Sequence, residues 1–342
     1  MQLFCRKKYY TMQAEVETRI QELMYELVIE KEKNQNLNKE MEKIQLYFSE
    51  VEATNNHLIA ATWREREIKR QLKEALEELN NTKQIVEKQN KRISESINYA
   101  QKIQFAINAT ESNLKEELPE SFIYYKPKDV ISGDFPWYFK RGNDVFFAAV
   151  DCTGHGVPGA MLSIIGNLLL NDIVMNHPQI QTSEILERLH NQVVKTLKQK
   201  NPENFSSDGM DIALCKIDTV NKKLYFSGAH RPLLFINKEG YSILKGDRFP
   251  IGGVQYKDQN KYTEQVLSYE EGDSVFIFSD GYPDQIGGQE NRKFTTTQLL
   301  QLLTSLNDRK PNEIETCLDR TYNKWMGENK QIDDVLIIGV KF

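Results

Sequence analysis

The first 118 residues of this 342-residue chain contain no glycine and no proline; all 18 glycines and all 10 prolines come after that point. A segment without either residue has no tight turns, which excludes a turn-rich globular domain there and marks a boundary near residue 118. Cysteine is scarce too. The four (Cys5, Cys152, Cys215, Cys317) are far apart with no C-x-x-C pair, which speaks against a zinc site and a disulfide framework and fits a reducing, cytoplasmic setting. No run of about 18 apolar residues occurs, so no membrane span is expected. Positive charge is not in excess: the net charge is −5, which argues against a nucleic-acid surface as the main business of the chain. "MQLFC" before "RKKYY" is too short for a signal-peptide core. It reads either as a frayed start or as the stub beyond an upstream sensor or membrane module, which would make the chain membrane-proximal.

What residues 1–118 do contain is an uninterrupted heptad. With Val16 at d and Ile20 at a, the d series runs through Leu23, Leu37, Ile44, Val51, Leu58, Leu72, Leu79, Val86 and Ile93. The a series includes Leu27, Met41, Phe48, Leu76 and Ile97, with Asn34, Asn55, Asn90, Lys69 and Lys83 interspersed. A seven-residue repeat kept in register gives a left-handed coiled coil, and polar a positions favour a parallel two-stranded pairing. A homodimer through this coiled coil is the expectation. The last turns, "ISESINYAQKIQFAIN" (93–108), carry a wider apolar stripe at 93, 97, 100, 103, 106 and 107, suited to packing on a domain as well as on a partner helix. They read as a junction between a signalling or dimerisation segment (1–118) and a globular domain (119–342).

The globular part reads as an α+β domain. Candidate strands lie at 121–127, 134–140, 144–150, 210–218, 222–229, 232–237, 273–279 and 333–342, and helical periodicity at 158–176, 182–199, 296–306 and 311–325. Three strands in succession over 210–237 imply antiparallel pairing rather than β-α-β crossovers. That weakens the one nucleotide motif present. Gly154, Gly156 and Gly159 spell G-x-G-x-x-G between an apolar run and a helix, but two helices follow where a second parallel strand would be needed, and Asp151 would repel a pyrophosphate.

The acids suggest a different chemistry. Asp151 and Asp280 close strands, Asp134 stands where a strand begins, and Asp333 and Asp334 open the last one. In an antiparallel sheet the end of one strand lies beside the start of its neighbour, so these acids can gather at one edge. Gathered carboxylates repel and raise one another's pKa. Hard divalent cations such as Mg²⁺ or Mn²⁺ relieve this with all-oxygen ligands, and Gly133, Gly154 and Gly281 let backbone come close. Each aspartate taken singly is ordinary turn chemistry; the four positions together carry the reading. Asp208 and Asp211, in "SDGMD", read as turn and strand-edge residues, with a weak third metal as the alternative.

The segments "ISGDF", "VDCTGHGVPGAMLS", "GAHRPLLFI", "FSDGYPDQ" and "DDVLIIGV", in this order, closely resemble the PPM (PP2C-like) serine/threonine phosphatases, in the bacterial branch of SpoIIE and RsbU. The resemblance covers about residues 119–342, and "SINYAQKIQFAI" is similar to the linker helix that precedes this domain in sensor-linked members. It implies a β-sandwich of two antiparallel sheets flanked by helices, and a centre of two Mn²⁺ or Mg²⁺ ions that activates water for attack on phosphorus. By motif, Asp151 would bridge both ions, the Cys152 carbonyl would bind one, and Asp134, Asp280, Asp333 and its neighbour Asp334 would complete the set. His155 would serve as a general acid, and Lys128 or Arg231 would contact the substrate phosphate. The family often writes G-G-D-F-Y, where this chain has "SGDFPW" with Pro136 in place of an aromatic, and a further acid seen in many members is absent. The implied activity is hydrolysis of phosphoserine or phosphothreonine on a signalling protein, with an anti-anti-sigma (STAS)-like protein as the substrate the family suggests, regulated through the coiled coil. The alternative is a catalytically silent scaffold of the same fold.

Overall fold

The computed structural model describes residues 2–201, 207–254 and 261–342. Two compact units divide at Gln89/Asn90. The first is helical throughout and belongs to α1 (Gln2–Ile107). Every described side chain from 3 to 96 is exposed, including the heptad residues Val16, Leu23, Leu37, Leu58, Leu72 and Leu79. Ion pairs at i,i+3 and i,i+4 spacing, such as Arg70 with Glu67 and Glu74, lie along its surface.

The second unit contains the last turns of α1, then α2 (Glu111–Glu117), β1 (Ser121–Lys126), β2 (Asp134–Arg141), β3 (Asp144–Cys152), α3 (Gly156–Asn176), α4 (Thr182–Thr196), β4 (Gly209–Asp218), β5 (Lys223–Ala229), β6 (Leu233–Asn237), β7 (Gly240–Leu244), β8 (Ile251–Gly252), β9 (Gln265–Ser268), β10 (Ser274–Phe278), α5 (Gly281–Asp284), β11 (Ile286–Gly287), β12 (Arg292–Lys293), α6 (Thr296–Leu306), α7 (Pro311–Met326) and β13 (Val335–Lys341). One sheet runs β1-β13-β10-β6-β7 and the other β2-β3-β4-β5-β9, with β8 on β4 and β11-β12 as a separate ribbon. All strand pairs are antiparallel. The fold is therefore α+β with two packed antiparallel sheets and helices outside both.

Alternation explains the layering, because successive side chains on a strand face opposite ways. On β3, Val145, Phe147 and Ala149 join Cys215, Phe226, Ile277 and Ile338 between the sheets. The intervening Phe146, Ala148, Val150 and Cys152 face α3 and α4, meeting Leu170, Ile173, Leu186 and Leu189. On the other side, Phe122, Phe276 and Ile337 pack under Leu299, Leu303, Leu318 and Tyr322 of α6 and α7. Strands buried on both faces read as continuous apolar runs, which is why these were the ones visible in the sequence. Helix α3 has the length and a mean hydropathy of 1.5 that a membrane span would show, but half of that window is buried inside the domain.

Two sequence expectations need correction. The run 210–237 does not form three neighbouring strands: β4 pairs β5, but β6 pairs β10 and β7 in the opposite sheet. The chain steps between sheets at "AHRP", where His230 takes φ 60°, a backbone region that non-glycine residues rarely enter. Helix α4 stops at Thr196, short of 199, with Lys198 at φ 52°. Pro136 sits inside β2, an edge strand of its sheet, where a missing N–H is tolerated.

Candidate metal centre

Antiparallel register sets three aspartates in a row. Asp134 on β2 stands opposite Asp151 on β3, and Asp151 opposite Asp211 on β4. Asp151 continues the face of Val145, Phe147 and Ala149, and Asp211 continues that of Ala213, Cys215 and Ile217, so both lie just past the end of the inter-sheet core. Like charges directly opposite on neighbouring strands destabilise a sheet. The row is therefore a liability unless a positive charge lies among its members.

The opposite sheet supplies the remaining acids. Asp280 follows β10, and Asp333 and Asp334 precede the neighbouring β13. Backbone packing brings these ends together: a Cβ on Gly281 would meet the Asp334 carbonyl at 1.8 Å. Gly133 plays the same part on the other side, where a Cβ would fall 2.5 Å from the Gly154 carbonyl and 3.2 Å from that of Cys152.

The expected site residues do not all meet at one point. Asp151, Asp280 and Asp211, which the sequence offered only as a strand-edge residue or a weak third-metal ligand, converge on Arg231, whose Nη2 lies 2.7 Å from Asp151 Oδ2, 2.8 Å from Asp280 Oδ2 and 3.1 Å from Asp211 Oδ2. Arg231 therefore meets carboxylates where the sequence suggested a substrate phosphate. It arrives there because the β5-to-β6 step crosses between sheets at the acid edge. His230 holds the step, its Nδ1 3.0 Å from Asp211 Oδ1 and its Nε2 2.6 Å from the Arg248 carbonyl oxygen.

Asp134 belongs to the same row but is buried, with an Oδ2 that has no hydrogen-bond partner. Asp333 is partly buried, its Oδ1 accepting the Asp334 N–H. The carboxylate of Asp334 is committed elsewhere: it accepts from the backbone N–H groups of Lys128 and Gly133 at 2.7 and 2.8 Å, fixing the 128–133 loop that leads into Asp134. The Cys152 thiol is buried among the residues facing α3, so its main chain alone is available at the edge. His155 stands at the N-terminus of α3, exposed, with Nδ1 3.0 Å from Asp129 Oδ2. No described contact joins it to the acid row.

Electrostatics follow from this crowding. Burial, with repulsion from Asp151 next, drives the Asp134 carboxyl well above the ordinary carboxylate range. Burial also lifts Asp151 to about 7, against the pull of Arg231 and with further push from Asp280 and Asp211. Asp211 and Asp333 are raised, again mainly by burial. For Arg231, burial opposes the charge, but the three carboxylates outweigh it and the net shift is upward. Carboxylates held at raised pKa around a partnerless buried oxygen suit a cation. The donor set is all oxygen, as Mg²⁺ or Mn²⁺ requires. Among the described residues no three acidic, histidine or cysteine side chains form a closed ligand cage by themselves; the guanidinium stands among them.

Two antiparallel sheets between helical layers, with acids gathered at one end of the sandwich, define a phosphatase of the PP2C-like class. The family model described as Stage II sporulation protein E (SpoIIE) matches residues 141–342, and the chain belongs to that family of protein serine/threonine phosphatases. Among solved structures it is similar to the SiaA-PP2C domain of Pseudomonas aeruginosa, with TM-score 0.67 and 28% identity over 74% of this chain and 98% of that one. It shares its fold with the SpoIIE phosphatase domain and regulatory-domain fragment of Bacillus subtilis (TM-score 0.53, 16% identity, 65% and 63% of the two chains). The RsbU and RsbW domains of Rv1364c from Mycobacterium tuberculosis also share it (TM-score 0.51, 15% identity, 66% and 60%). No curated protein sequence matches the chain.

Proposed function

We propose that this chain removes phosphate from phosphoserine or phosphothreonine on a signalling protein, at the acid row, with two Mn²⁺ or Mg²⁺ ions held by Asp134, Asp151, Asp280, Asp333 and the Cys152 carbonyl. The observation that carries this reading is the partnerless Oδ2 of Asp134, buried at the end of a three-aspartate register. A polar atom left unpaired in the interior is costly, and a cation satisfies it. Bound divalent ions would lower the pKa of water and neutralise charge on the phosphoryl oxygens. The chain's own part is to orient the acids through the Gly133 and Gly281 contacts and to fix the 128–133 loop through Asp334. Lys128, whose backbone N–H is held by Asp334, is kept as the candidate contact for a substrate phosphate. Asp334 is better assigned to holding that loop than to the metal, since both its oxygens accept backbone N–H groups. His155, paired with Asp129 at the rim, is kept as a candidate proton donor.

The substrate class we favour is an anti-anti-sigma-like phosphoprotein, as the motif resemblance to the SpoIIE and RsbU branch implies. The exposed heptad stripe of α1 supports a parallel homodimer, and the free thiols support a cytoplasmic setting. Regulation through the helix finds support at Gln104. This buried side chain donates from Nε2 to the Ser132 carbonyl (2.6 Å) and the Ser163 hydroxyl (2.8 Å), and its Oε1 accepts the Ser132 N–H. It thus joins the junction helix to the loop before Asp134.

The test is hydrolysis of p-nitrophenyl phosphate and of a phosphoserine protein with Mn²⁺. Activity is expected to vanish with EDTA and to fall by about 10³-fold or more in Asp151→Asn, as loss of a metal-organising group implies. An Asp151→Asn protein with normal turnover would refute the centre. A silent scaffold would show no turnover in the wild type.

A further inference from the structure

The contact of Arg231 with the acids has an unusual form for an arginine. Guanidinium groups bind carboxylates best as a fork, with two parallel N–H···O bonds from different nitrogens. Here Asp151, Asp280 and Asp211 all converge on one atom, Nη2, within 3.1 Å. That nitrogen carries two hydrogens for three carboxylate oxygens, and only Asp151 and Asp280 receive a hydrogen bond. Meanwhile the Nε of the same group is buried without a partner. Oxygens aimed at a point, rather than at a fork, are how acids surround a metal ion. Next to them Asp134 Oδ2 is buried and unsatisfied as well. The site is built around a point charge, and the arginine fills it imperfectly.

We infer that Arg231 is an internal counter-ion seated where a divalent cation binds, and that it leaves the row when metal loads. The inference rests on the metal reading of the acid row given above. It reassigns Arg231 from a phosphate contact to a residue that sets metal affinity. Without metal, the guanidinium keeps Asp151, Asp211 and Asp280 together against their mutual repulsion. With metal, its positive charge competes for the same oxygens, so part of the ion's binding energy is spent on displacing it. His230 restrains the competitor: its positive-φ backbone and its bonds to Asp211 and the Arg248 carbonyl fix where the next residue begins.

The experiment measures Mn²⁺ binding to the full chain by calorimetry and by loss of the free Mn²⁺ electron paramagnetic signal, for the wild type, Arg231→Met and Asp151→Asn. Arg231→Met keeps the volume and removes the charge. It should bind Mn²⁺ about tenfold more tightly or better, because losing one partner of a buried ion pair penalises only the metal-free state. Its metal-free melting temperature should fall below that of the wild type, and Mn²⁺ should raise it by a larger increment. Equal or weaker Mn²⁺ affinity in Arg231→Met would overturn the inference while leaving the centre intact, provided Asp151→Asn loses binding. No Mn²⁺ binding by any of the three would remove the metal reading itself and this inference with it. A measurement on the wild type guards against a variant that fails to fold. Modification of Arg231 by phenylglyoxal, read by mass spectrometry, should accelerate as Mn²⁺ saturates the protein; unchanged or slowed modification contradicts displacement.

Discussion

The two compact units of this chain handle apolar residues in opposite ways. In the sandwich, β3 buries both of its faces and Ile338 on β13 is 1% exposed. Along α1 from residue 3 to 96, side chains as apolar as Leu58 and Leu72 are exposed. The sandwich contains its own partners: each sheet covers the other and each outer face has a helical layer. The helix has a regular apolar seam and nothing within residues 1–89 to bury it. Its internal support is limited to surface pairs such as Arg70–Glu74, each contributing about 0.2–0.5 kcal/mol. A stripe of that length exposed to water indicates an interaction face; in the proposed homodimer, the heptad's polar a positions would set the register of the second copy.

Four variants sharpen this contrast. The largest effect is expected for Leu72→Lys with Leu79→Lys, which places charge at two successive d positions. Light scattering should show loss of the dimer, while the near-ultraviolet dichroism of the sandwich is unchanged; a dimer that persists would show that the seam is not the interface. Ile338→Ala comes second. It removes packing against Ile277 and Ile123, its register partners, and should destabilise the sandwich by about 2–5 kcal/mol in chemical denaturation. Leu58→Ala on the helix should leave that transition within about 0.5 kcal/mol, and an equal loss in both would erase the distinction drawn here. Gln104→Ala falls between Ile338→Ala and Leu58→Ala. Stripping the Ser132 amide and carbonyl of their buried partner should destabilise the domain by about 1–3 kcal/mol. If regulation passes through this junction, the variant should also uncouple turnover from the presence of residues 1–89.

The same contrast explains what could be read from the residues in order. Helix α1 was legible because glycine and proline are missing from it. The strands β1 to β6, β10 and β13 were legible because burial on one or both faces leaves short apolar runs. The strands that went unseen are marginal ones. β7 is exposed over most of its length, β9 alternates weakly at an edge, and β8, β11 and β12 are two-residue pairings that only tertiary contacts define. At the site, Asp134, Asp151, Asp280 and Asp333 stood out by their position at strand ends. Asp211 was read as a strand-edge residue, with a weak third metal as the alternative, because its importance lies in register: it matters as the residue opposite Asp151, and strand pairing is not visible in a linear reading. Arg231 was noticed for its charge, but its carboxylate neighbours were not foreseen. Its acid partners lie 80 and 49 positions away, and they meet it only because the chain changes sheets at His230.

The central claim is that carboxylates from both sheets converge on a seat for divalent cations. It is tested most directly by crystallising the full chain with Mn²⁺ and locating the metal by anomalous scattering. The account predicts peaks bounded by Asp134, Asp151 and Asp280, with the Arg231 guanidinium withdrawn from them. Saturating Mn²⁺ that leaves no peak there, with Arg231 still bonded to Asp151 and Asp280, would contradict it.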